Sequence, residues 1–134
     1  MSKLVLSAML AIAALGLARA AAENAAAQPE RALFIFAYSP GPAWVEGKPM
    51  REQNLLPHGR YIRSLLDEGR IFAAGGYADA DGGVALVWAQ DRAEAERLLA
   101  ADPAIVEGVF TAEIRAWAPR FVSGETLQPI IAPR

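Results

Sequence analysis

Apolar and polar positions along this chain switch between two spacings, and the switches mark its elements. Ala32-Leu33-Phe34-Ile35-Phe36-Ala37-Tyr38 is an unbroken apolar run, ended by Ser39-Pro40-Gly41-Pro42. Its length and aromatic content predict a strand covered on both faces. From Leu55 the spacing changes. Leu55, His58, Ile62, Leu65 and Leu66 fall at three- and four-residue steps and share one helix face. Arg60, Arg63, Ser64, Asp67 and Glu68 occupy the outer face. Asn54 is the expected N-cap, Pro57 suits a first turn, and Gly69 is the expected stop.

A second strand opens at Ile71-Phe72-Ala73-Ala74, where Gly75-Gly76 suggests a bulge or close backbone approach. Asp79-Ala80-Asp81-Gly82-Gly83 is turn chemistry, so a hairpin leads into Val84-Ala85-Leu86-Val87-Trp88-Ala89, again apolar on both faces. Asp91-Arg92-Ala93-Glu94 is a capping box. The helix behind it turns Ala95, Leu98 and Leu99 inward and ends near Ala101, where Asp102-Pro103 breaks it. Val109 to Ala118 alternates, with Phe110, Ala112, Ile114 and Ala116 on one side and Thr111, Glu113, Arg115 and Trp117 on the other.

The order is β-α-β-β-α-β, which predicts an α+β ferredoxin-like sandwich. Two right-handed crossovers place the first and third strands at the sheet centre. These are the two strands apolar on both faces. Both helices then cover one face of the sheet. The other face needs a cover of its own, and the expected cover is a second copy: a homodimer packed sheet on sheet.

The N-terminal stretch changes the picture of where the protein works. Lys3, the apolar run Leu4 to Leu17 and Ala18-Arg19-Ala20 have the order of a secretory signal, residues 1–20, with Ala20-Ala21-Ala22 as a second cleavage option. The run is short for a membrane span. The expected mature protein is periplasmic or secreted, with no membrane attachment after cleavage. Its domain spans residues 32–121 and a Pro-rich tail covers 122–134. Without Lys3 and Arg19, the formal charge moves from -2 to -4. A mildly acidic domain with no basic run argues against a nucleic-acid partner.

His58 is the single histidine, and there is no cysteine. Thiol chemistry is excluded, no metal site is expected, and one residue stands out for proton transfer near neutral pH. His58 follows an aperiodic stretch from Ser39 to Leu56, long for a loop in a compact domain and therefore a functional candidate. Asp102 is the second candidate. It forms a turn before Pro103, yet a carboxylate at a helix C-terminus needs a cation to compensate it. Tyr38 and Trp44 are read as aromatic pocket walls or as core and lid packing. Glu113 and Arg115 either form a surface or interface ion pair or line the pocket. Arg51, Arg60 and Arg115 are candidate holders of a substrate anion.

Pro57-His58, Tyr61-Ile62 and Leu65-Leu66, Gly69 with the following Ala-Ala-Gly-Gly, the Asp91-Ala93-Glu94-Ala95 helix opening, and Asp102-Pro103 before Gly108 form an ordered set. Together they resemble the YCII-related (YciI-like) family over residues 32–121. The resemblance implies a dimeric α+β barrel, a pocket between sheet and helices, and a His58–Asp102 pair within it. Ala104 stands where that family usually has a bulky aromatic. Relatives on the same fold include muconolactone isomerases and a dehydrochlorinase of hydroxylated aromatics. The expected activity is a lyase or isomerase using His58 as general acid or base, without a cofactor, on a small acidic or cyclic molecule. A non-catalytic periplasmic binding module of the same fold is the alternative.

Overall fold

A computed structural model of the chain describes residues 31–121. The expected signal at 1–20 and the tail at 122–134 lie outside the described residues. The elements are β1 (Ala32–Pro40), α1 (Leu56–Asp67), β2 (Ile71–Gly76), β3 (Gly83–Ala89), α2 (Arg92–Ala100), α3 (Pro103–Val106) and β4 (Phe110–Trp117). A one-turn 3-10 segment, Met50–Glu52, interrupts the long loop. The sheet order is β2-β3-β1-β4 with every neighbouring pair antiparallel. This is the α+β ferredoxin-like arrangement, and the two strands apolar on both faces hold its centre.

Alternation along those strands decides what lies on each face. Phe34, Phe36 and Tyr38 of β1 and Ala85, Val87 and Ala89 of β3 are buried, in one cluster with Leu65, Ala95 and Phe110. Ile35, Ala37, Val84, Leu86 and Trp88 point the other way and are only half-buried. Register carries that face onto β4, where Arg115 lies opposite Ile35 and Glu113 opposite Ala37. Within one chain, then, both central strands are fully covered on a single face.

Local signals set the element ends. Gly69 takes φ of 70°, and Gly69 N–H and Arg70 N–H donate to the carbonyls of Leu66 and Leu65, a Schellman stop for α1. Asp91 Oδ1 accepts the Glu94 N–H at 2.7 Å to open α2. The Glu94 side chain reaches one residue further back than a capping box requires, to Gln90 N–H at 2.6 Å. Gly82, at φ of 105°, packs so tightly on the Tyr38 carbonyl that a Cβ would overlap it.

Four expectations need correction. Asn54 does not cap α1: Leu55 takes the cap position without a side-chain bond, and Asn54 Nδ2 instead donates to Glu107 Oε2 at 2.9 Å. Leu66 is 44% exposed, because the inward stripe of α1 is narrow and centres on Leu65. The β2 bulge falls between Ile71 and Ala73, not at Gly75-Gly76, where the other alternative holds: backbone approach so close that a Cβ on Gly83 would overlap the Gly75 carbonyl. Asp102-Pro103 breaks α2 as expected, but it also starts α3, a helix the apolar spacing did not predict.

Candidate active site around His58

Each side chain here is placed by an element described above. His58 is the third residue of α1 and faces the sheet. Tyr38 lies on the helix-covered face of β1, and Phe110 opens β4. Asp102 sits between α2 and α3 and is the N-cap of α3, its Oδ1 accepting the Ala104 N–H at 2.9 Å. The sequence reading placed this carboxylate at the negative end of α2 only. The structure gives it the positive end of the next helix as well, which favours a carboxylate there.

Asp102 is fully buried and receives three partners. Ala104 N–H donates to Oδ1, the Tyr38 hydroxyl donates to Oδ2 at 3.0 Å, and His58 Nδ1 lies 2.9 Å from Oδ1 and 2.8 Å from Oδ2. A carboxylate only accepts, so Nδ1 is the donor and carries the imidazole proton. Nε2 has no hydrogen-bond partner among the described residues. Among the described residues no buried side-chain nitrogen or oxygen lacks one, so Nε2 opens to solvent through the 18% of the side chain that is exposed. The ring is walled by Tyr38 and Phe110, both edge-on, at centroid distances of 5.2 and 5.5 Å. Trp44, from the loop, stacks on Phe110 at 5.6 Å. Burial, then the charge of Asp102, then the hydrogen bond to it push the Tyr38 hydroxyl far above the usual phenol range. That hydroxyl is a permanent donor. Tyr61 is raised for the first two of these reasons, and its hydroxyl donates to the Leu98 carbonyl at 2.7 Å.

The predicted site residues separate into two groups. His58, Asp102, Tyr38 and Trp44 come together. Tyr38 is 3% exposed, so it belongs to the core and acts through its hydroxyl rather than as an open pocket wall. Arg51, Arg60 and Arg115 do not join them. Arg51 is exposed beside Glu52 at 3.5 Å. Arg60 is exposed and, two residues beyond His58, points about 200° around α1 from it. Arg115 lies on the open sheet face, 2.9 Å from Glu113, with the sheet between it and Asp102. No basic side chain among the described residues hydrogen-bonds to His58, Asp102 or Tyr38. Phe110 and the Ala104 N–H were missed as site groups. Pro103 directly after Asp102 is the signal that would have found the second, because Pro favours the first position of a helix.

Among the described residues no cluster of His, Asp and Glu could hold a metal ion. A groove of about 490 Å³ between α1 and β2 is lined by Gly59, Ile62, Arg63, Leu66 and β2 residues, and neither His58 nor Asp102 reaches it.

Residues 31–118 match the YCII-related domain. The chain belongs to the YCII-related family. The match spans all four strands and both candidate residues, His58 and Asp102, so the dyad lies inside the YCII-related domain. No curated protein and no solved structure matches the chain significantly.

Proposed function

We propose that this YCII-related protein is a cofactor-independent acid–base enzyme of lyase or isomerase type. His58 Nε2 takes a proton from a small molecule and returns it, while Asp102 orients the ring and stabilises the imidazolium. One observation carries the reading. Nδ1 is held by a fully buried carboxylate, while Nε2 has no partner among the described residues on a side chain that is 18% exposed. That is the division of labour a histidine base needs. Trp44, half-buried and stacked on Phe110, with no arginine hydrogen-bonded to the dyad among the described residues, favours a cyclic or planar molecule over a strongly anionic one.

The test is deuterium exchange. Small lactones and cyclic carbonyl compounds are incubated with the protein in deuterated water and read by proton NMR. The expected result is enzyme-dependent exchange that falls roughly 10²–10⁴-fold in His58→Ala. Exchange that survives in His58→Ala removes His58 from the chemistry. A compound that binds at His58 without exchanging points to the binding-module alternative.

Two further parts of the reading concern assembly and location. A homodimer packed through the half-buried face of β1 and β3 would cover Ile35, Leu86 and Trp88. Export follows from the Leu4–Leu17 run and the Ala18-Arg19-Ala20 site. The mass of the protein recovered from the periplasmic fraction tests it, with loss of residues 1–20 or 1–22 expected.

A further inference from the structure

Asp102 has two oxygens and a fixed backbone anchor on only one of them. Ala104 N–H holds Oδ1 at 2.9 Å. One N–H bond alone leaves small rotations about Cα–Cβ and Cβ–Cγ free to shift Oδ2 relative to the imidazole. The Tyr38 hydroxyl, 3.0 Å from Oδ2, is the second anchor. Two anchored oxygens define the carboxyl plane, and Nδ1 lies almost equidistant from both, at 2.9 and 2.8 Å. A neutral imidazole has two tautomers, and the partner of one nitrogen decides which is populated. We propose that Tyr38 is the positioning residue of this site: its hydroxyl fixes the Asp102 carboxylate so that the His58 proton stays on Nδ1 and Nε2 is left as the basic nitrogen. The inference rests on the acid–base reading of the dyad.

Two features make Tyr38 suited to this. Its backbone is held from both sides in the sheet, by Gly83 on β3 and Ala112 on β4, and Gly82 packs directly against its carbonyl. Its ring also walls the imidazole and leans on Phe110 at 5.6 Å. Tyr38→Phe therefore removes the donor and keeps the wall, which separates positioning from packing.

The single histidine makes the test clean. Protein grown with ring-labelled ¹⁵N-histidine gives two nitrogen signals, and both report His58. In the wild type at a pH where the ring is neutral, Nδ1 should carry the proton and Nε2 should not. In Tyr38→Phe the two signals should move toward each other as the tautomer ratio falls roughly tenfold, the weight of one lost hydrogen bond. A Tyr38→Phe protein with a native amide spectrum and an unchanged tautomer would overturn the role of Tyr38 and leave the dyad reading standing. A wild type with its proton on Nε2 would overturn the dyad reading itself, and this inference with it. If Tyr38→Phe does not fold, the wild-type hydroxyl decides. A slowly exchanging Tyr38 hydroxyl proton with cross-relaxation to the Nδ1 proton supports the role, and solvent-fast exchange overturns it.

Discussion

Gln53 closes its side-chain amide on both halves of Val45. Its Oε1 accepts the Val45 N–H at 2.9 Å, and its Nε2 donates to the Val45 carbonyl at 2.8 Å. The same Nε2 donates to the Lys48 carbonyl at 2.8 Å. Gln53 is 8% exposed, a buried polar residue in a segment without sheet or α-helix. It does for the loop what a strand ladder does elsewhere, and Trp44 is held on Phe110 one residue away. Gln53→Ala should cost about 1–3 kcal/mol by leaving the Val45 N–H and the Lys48 carbonyl without their side-chain partner, while the Val45 carbonyl keeps the Lys48 N–H at 3.2 Å. Hydrogen exchange at the Val45 amide should rise more than exchange at amides in β1. Uniform acceleration across both regions would mean the loop has no local anchor here.

Asp102→Ala would strand three donors at once: the Tyr38 hydroxyl, His58 Nδ1 and the Ala104 N–H. Breaking a buried, fully partnered charge of this kind costs about 3–5 kcal/mol. Urea unfolding should show a loss of that size together with loss of any His58-dependent exchange. A variant as stable as the wild type would mean that the carboxylate is not what holds α3 against α1.

The Gln90 N–H first and Arg70 second hold the Glu94 carboxyl below its ordinary value near 4.5. Arg70 Nη1 lies 2.6 Å from Oε1. A carboxyl lowered in the fold stabilises fully above its ordinary range, and that contribution is lost as pH falls through the folded value. Glu94→Gln keeps an acceptor for the Gln90 N–H and loses only the charge, so it should lose at most about 1 kcal/mol at neutral pH. The gap to the wild type should close in acid, below about 4.5. A constant gap across that range would show that charge plays no part in the cap.

On the open sheet face Leu86 lies opposite Ile35 and beside Trp88. Leu86→Arg should weaken association by roughly thirtyfold or more, the scale of a substitution at an interface centre. Sedimentation at micromolar concentration should show dimer for the wild type and monomer for the variant. A monomeric wild type rules out the sheet-on-sheet assembly.

The elements that sequence conveyed best were those where one physical demand dominates. Two strands apolar on every position had to be central, and they are. His58 stood out as the single histidine, and Asp102 as a carboxylate at a helix C-terminus, where its charge needs compensation. What escaped was double duty. Asp102-Pro103 ends one helix and begins another, and apolar spacing has no way to register a helix as short as Pro103–Val106. Tyr38 looks like any strand aromatic, since its polar tip is defined by a partner 64 positions away. The arginines were judged by charge alone, and strand register and helix angle placed them elsewhere.

The capping of α3 by Asp102 has a consequence for how such a chain can change over time. The carboxylate that steadies the imidazole is also what starts that helix. A descendant could replace His58 by many residues, but it could not easily give up Asp102 without finding another way to begin α3. Half of the His58–Asp102 pair is therefore carried along with the architecture. A chain of this design without His58 would still hold a buried carboxylate in place, one substitution away from regaining the pair.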